Sequence, residues 1–272
     1  MTIRAMGLAA AAVLAAGMVA TGADQDRQKL AKDLVASSGI ERQTQQFVDV
    51  VRTNLATLRE SRPIEPAVAE RLARAVDAAL DAGKMQAAIQ ADLAAALEPK
   101  DAEGALQWLQ SPVGKKITAL EEAATAPAAD GAKPVPAAPP AAPRAARIAR
   151  LTTALNTVES ATDLAVRAQK AIILAMLAIL PPDAERAPDA AEFAEKKRPE
   201  TRAFIEKATP DIFEKTYRTL TDEELDQYIA FAESDVGKKY SAATSAAVGR
   251  ATLKAIEAMG ATLKESTAKP VK

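Results

Sequence analysis

Ser111-Pro112-Val113-Gly114-Lys115-Lys116 returns 123 residues later as Ser234-Asp235-Val236-Gly237-Lys238-Lys239. An aromatic residue stands three positions before each copy, Trp108 in the first and Phe231 in the second, so the repeat is longer than the hexapeptide. Around the first copy Leu106, Leu109, Val113, Ile117 and Leu120 keep one helical stripe running through Ser111-Pro112. An interior proline would remove a backbone hydrogen bond and strike the preceding turn, at about 3 kcal/mol. The second copy resolves the conflict, because Leu225, Ile229, Val236 and Tyr240 hold the same stripe with Asp235 in the proline position. Proline and aspartate share a preference for the first helical turn. Ser111 and Ser234 therefore read as N-caps, each opening a new helix after a tight kink. Gly114 and Gly237 fall in that first turn, where a missing side chain lets a neighbouring backbone come close.

Working outward, hydrophobic residues make up 49% of the 272-residue chain but aromatics only 3%, so the apolar content is chiefly Ala, Leu, Val and Ile. Alanine is the best helix former, and strands would want the β-branched and aromatic types that are scarce here. The fold class expected is all-α, as two homologous helical-bundle units joined by an Ala/Pro-rich linker. The expected divisions are a signal peptide over 1–23, a first unit over 24–122, the linker over 123–146, a second unit over 147–265 and a flexible tail over 266–272.

Charge is balanced, with 35 Lys and Arg against 36 Asp and Glu, and gives no nucleic-acid footprint. With no cysteine, disulfides, thiolate catalysis and thiolate metal sites are excluded; with no histidine, so are a Ser-His-Asp triad and a His-based zinc site. No cofactor is implied. At the N-terminus Arg4 precedes an apolar run over 6–20 and the small residues Thr21-Gly22-Ala23, the pattern of a secretory signal cleaved after Ala23. The run is too short and alanine-rich to span a bilayer, so no integral membrane span is expected after cleavage, and the expected address is the periplasm.

In chain order, Leu30, Leu34, Phe47, Val51, Leu55 and Leu58 mark a helical stripe that Ser37-Ser38-Gly39 interrupts. Pro66 suits a first turn, Val68, Leu72, Val76 and Leu80 step by four, Gly83 sits where a C-cap would fall, and Met85, Ile89, Leu93 and Leu97 share the next face. The Ala/Pro tract over 123–146 has no apolar period and reads as extended linker. Ile148, Leu151, Leu155 and Val158 open the second half. Residues 171–180 are apolar on every face, which implies a helix buried all round or covered by a partner. A charged insertion over 181–210 reads as a solvated surface segment, Ile212, Phe213, Tyr217 and Leu220 as a short helix, and Thr221 with Glu224 as a capping box. The last helix is expected from Ser234 to about Lys264.

Thr221-Asp222-Glu223-Glu224-Leu225, then Ile229-Ala230-Phe231 and Ser234-Asp235-Val236-Gly237-Lys238-Lys239, resemble the signature of the exported bacterial family known as domain of unknown function 2059. Trp108-Leu109-Gln110-Ser111-Pro112-Val113-Gly114-Lys115-Lys116 resembles it as well, although the first copy lacks the threonine cap and Ala232 replaces a frequent second aromatic. The resemblance implies an exported helical protein without an assigned reaction, and no catalytic residue is carried over.

Gly-Lys-Lys is not a phosphate-binding P-loop, since the first glycine of that motif is missing and the context is helical. A Ser/Lys dyad, Ser111 with Lys115 or Ser234 with Lys238, would need a free hydroxyl and a shielded lysine, which a capping serine beside an exposed helical face does not supply. Ser111, Gly114, Lys115, Lys116, Ser234, Gly237, Lys238 and Lys239 remain candidates for contact with an anion or a partner, beside the plainer reading as a repeated helix junction. Trp108 and Phe231 read as core, and Glu121-Glu122 as a surface carboxylate pair too sparse for a metal. The function expected is non-enzymatic interaction or binding in the periplasm, through a groove between halves or the apolar helix, with an unknown protein partner; the alternative is a carrier of small amphiphiles or lipids.

Overall fold

The alanine-rich stripes fold as expected for their period. A computed structural model describes residues 22–61, 65–125, 141–177 and 189–268, and among these the regular structure is helical throughout. The helices are α1 (Gly22–Ser37), α2 (Ile40–Ser61), α3 (Pro66–Ala79), α4 (Ala82–Ala96), α5 (Pro99–Gln110), α6 (Pro112–Thr125), α7 (Ala142–Ala154), α8 (Thr157–Leu177), α9 (Ala190–Tyr217), α10 (Asp222–Glu233) and α11 (Asp235–Ala268). Most of the signal segment, most of the linker and the last four residues of the tail lie outside the described residues.

The cores do not divide at the linker. Leu34, Val48, Val76, Ile89 and Leu93, all from the first half, are closed over by Ala247, Ala251 and Ala255 of α11. Those alanines recur every four residues and so share one face, whose small side chains let α11 lie close against α3, α4 and α5. In return Ile117 of α6 is buried in the second core, with Ile148, Leu151, Tyr217, Leu225 and Ile229. Each helix that follows a repeated junction thus crosses into the opposite half. Leu34, Leu151 and Leu225 are wholly enclosed, and cutting such a leucine to alanine costs about 2–5 kcal/mol.

Several local expectations are corrected. Gly83 is not a C-cap: α3 closes at Leu80, and Gly83 lies in the first turn of α4, capped by the Asp81 carboxylate, which accepts from Lys84 N–H at 3.0 Å. The 123–146 linker is shorter at both ends, since α6 runs through Thr125 and α7 begins at Ala142. Pro143 sits in that first turn, where its missing N–H costs no bond, and Arg144 is pinned. Its guanidinium donates to the Tyr217 and Leu220 carbonyls at 2.8 and 3.2 Å, to Glu214 at 3.2 Å and to Asp222 at 3.1 Å, closing the end of α9. The supposed surface segment is, from Ala190 on, the long helix α9, which carries Pro199 and Pro210 and lies along α8. Its inner face includes buried Ala194, while Arg198 pairs with Asp163 of α8 at 2.6 Å. Ile212, Phe213 and Tyr217 belong to that helix, and α11 continues past Lys264 to Ala268. The Thr221 capping box is present, with Glu224 N–H on the threonine hydroxyl at 3.2 Å and Thr221 N–H on the Glu224 carboxylate at 2.8 Å.

Candidate functional site

Two places merit a site's description: the paired junctions with the cavity between them, and the groove along α8 and α11. At each junction a serine ends one helix in extended conformation and caps the next. Ser111 Oγ accepts from Gly114 N–H and Ser234 Oγ from Gly237 N–H, both at 3.0 Å. Ser234 Oγ also donates to the Phe231 carbonyl at 2.6 Å. The kink is so tight that a Cβ on Gly114 would overlap the Trp108 carbonyl oxygen, and one on Gly237 that of Phe231.

The junctions meet. Trp108 stacks on Phe231 with ring centroids 4.7 Å apart and planes 11° from parallel. Lys116 donates to both Glu224 oxygens at 2.6 and 2.8 Å, while Lys239 reaches Asp101 at 2.7 Å. Asp101 and Glu224 are themselves 123 residues apart, as are the two lysines, so the same cross-tie is made in each direction. Lys116 and the Thr221 N–H hold the Glu224 carboxyl below its ordinary range, and Asp101 raises the Lys239 ammonium. Of the eight residues singled out by sequence, the serines and glycines are engaged in backbone geometry, Lys116 and Lys239 join the halves, and Lys115 and Lys238 are exposed.

Residues 83–135 match the family described as "Uncharacterized protein conserved in bacteria (DUF2059)". The DUF2059 match takes in nearly all of α4, then α5, the first junction and α6, while the second copy lies beyond it. No curated protein and no solved structure matches the chain.

Glu121 is the residue that sequence reasoning misplaced. It is not part of a surface pair: though the residue keeps some surface, its carboxyl is enclosed, and Oε1 accepts from Tyr217 Oη at 2.7 Å and Tyr228 Oη at 3.0 Å. Burial raises its pKa above the usual glutamate value, against the opposing effect of the two hydroxyls. Burial likewise lifts both tyrosines, and takes Tyr240 to about 12. A cavity of about 180 Å³ adjoins this carboxyl, walled by Trp108, Phe231 and Tyr240. Its helical spacing from Ile117, four residues earlier on the inward face, was the available signal. Glu122 does pair outward, with Arg42 at 3.2 Å.

The groove along α8 and α11 holds two cavities of about 490 and 470 Å³ that share Arg167 and Leu253. Leu164, Ala171, Leu174, Leu253 and Ala261 supply an apolar floor, and the linings together carry five basic residues (Arg167, Lys170, Lys238, Arg250, Lys264) against Asp163 and Glu257. Asp163 is engaged by Arg198, and Arg250 by Asp92. Of the apolar run 171–180, Ala171 is buried whereas Ile172 and Leu174 are 44% and 51% exposed. No helix among the described residues is long and apolar enough to cross a membrane, and among them no group of acidic residues is placed to hold a metal.

Proposed function

We propose that this chain is an exported protein that works by binding, without turnover, and that its α8–α11 groove carries a single-chain anionic amphiphile. The observation that carries this reading is Leu174 of α8, half exposed on a groove flanked by Arg167, Lys170 and Lys264. A large aliphatic side chain left half in water forgoes about 1 kcal/mol of burial, and an acyl chain laid on the floor would recover it. The basic side chains suit the other end of such a ligand, because their methylene stems extend the apolar surface while their charged heads meet a carboxylate or phosphate in water. Each cavity falls within the usual size range of small-molecule sites, about 300–1,000 Å³.

Binding without catalysis is supported by the junctions: both serine hydroxyls serve as caps, and Lys115 and Lys238, the lysines of the candidate dyads, lie exposed and not in a shielded cleft. Export is supported by the charged, apolar and small-residue order of residues 1–23. Native mass spectrometry of protein purified without detergent should reveal a bound fatty acid or lysophospholipid, and an anionic fluorescent fatty-acid probe should be displaced by it. A clean apoprotein mass together with no uptake of the probe sinks the carrier reading. A second reading, a protein partner, rests on Phe204 and Ile212, 74% and 56% exposed on α9.

A further inference from the structure

The geometry points to a second, smaller ligand site: the cavity between the two junctions binds a small organic cation, an amine or quaternary ammonium, on the carboxylate of Glu121. The Glu121 carboxyl is offset only in part, by the two tyrosine hydroxyls that donate to it. Burial disfavours its charged form, and an opposite charge placed beside it would favour that form again. Yet no lysine or arginine lines the cavity, and both tyrosine hydroxyls converge on one oxygen, Oε1.

The space beside it is polar enough to want an occupant. Thr244 Oγ1 is buried on the same cavity, and beside the Tyr240 hydroxyl that it interacts with it has no further partner. Ser38 and Thr118 add hydroxyls to the wall. At about 30 Å³ per water, about 180 Å³ accommodates a ligand of roughly half a dozen heavy atoms, which excludes an amphiphile and fits an ethanolamine, putrescine or choline. The ammonium of such a ligand would supply the missing opposite charge, and the ring walls would exclude the water that otherwise weakens the pair. The cavity adjoins the end of the groove, with Leu155, Ser241 and Ser245 lining both. The site is independent of the amphiphile reading, because none of its charged groups belongs to the basic flank of that groove.

The test is calorimetric titration of the whole chain with ethanolamine, putrescine and choline, and with 3,3-dimethylbutanol as the uncharged match for choline. At least one cation should bind, and tenfold or more tighter than the alcohol. Glu121→Gln, which keeps the size and hydrogen-bonding reach of the side chain, should weaken that cation at least tenfold and leave the alcohol unchanged. Far-ultraviolet circular dichroism and the urea midpoint establish that the variant is folded; should it not fold, Thr244→Val, which exchanges the hydroxyl for a methyl group, should weaken the cation severalfold. Binding of none of the three cations, binding of the alcohol as tight as that of the tightest cation, or full cation affinity in Glu121→Gln overturns the proposal.

Discussion

The two junctions share one plan down to the hydrogen bond, and then part. At the first, Ser111 caps α6 and Lys116 crosses to Glu224; at the second, Ser234 caps α11 and Lys239 crosses to Asp101. Ten residues past each cap the correspondence fails, because Glu121 stands in one place and Thr244 in the other, both on the cavity between the copies. The helices also differ in reach: α6 has 14 residues and α11 has 34, so only the second continues beyond its borrowed core to form a wall of the groove with α8. Repetition here specifies how the chain turns, and the departures from repetition place the charged and apolar groups that we propose as ligand contacts.

The sharpest way to break this comparison is at the glycines. Gly114→Ala and Gly237→Ala each force a methyl group into a carbonyl oxygen of the preceding helix, where backbone must move. Each should cost about 3 kcal/mol or more in urea unfolding; a loss under about 1 kcal/mol at one site alone would mean that the two kinks are not equivalent. Next in size, Ala251→Leu tests the exchange of helices between cores. The added volume enters the first-half cluster around Ile89 and Leu93 from a second-half helix, and should cost about 1–3 kcal/mol. A neutral outcome would mean that α11 does not lie so close. Smaller still, Ser111→Ala and Ser234→Ala should each lose about 1 kcal/mol, with matching values.

The acid at position 121 gives a smaller effect, read as a slope against pH. Its folded pKa lies above the ordinary glutamate value of 4.5, so its contribution to stability is fully present below that value and fades as pH rises through the folded one. Glu224, whose folded pKa is lowered, acts in the opposite sense: its contribution is present above the ordinary value and fades as pH falls through the folded one. The urea midpoint of wild type should therefore fall relative to that of Glu121→Gln as pH rises above 4.5. Parallel curves would show that the carboxyl is not desolvated.

Much of the architecture was legible because it depends on local rules. Serine before proline or aspartate, glycine three positions later, and the Thr221–Glu224 box each specify a helix start within a few residues, and each start is found. What remained hidden depends on contacts distant in sequence. The residues around Ala142 read as linker because their anchor, Arg144, finds its carbonyl and carboxylate partners more than 69 residues away. Residues 190–210 read as surface because prolines and charges conceal a helix that exists by lying on α8. Glu121 read as exposed because the tyrosines that enclose it come from α9 and α10, 96 and 107 positions on. Exchange of α6 and α11 between cores is of the same kind, since periodicity tells which face is apolar and not whose core receives it.

If the repeated segment is architecture and the groove is where the molecule meets a ligand, the two can be separated in one titration. Binding of an anionic fluorescent fatty acid is measured for wild type, Leu174→Asp and Ser234→Ala, all confirmed as folded. The expected result is that Leu174→Asp, which puts a charge on the groove floor, weakens binding tenfold or more, while Ser234→Ala leaves it within twofold of wild type. Unaltered affinity in Leu174→Asp, with loss in Ser234→Ala, would contradict the account and return the junction to consideration as the binding site.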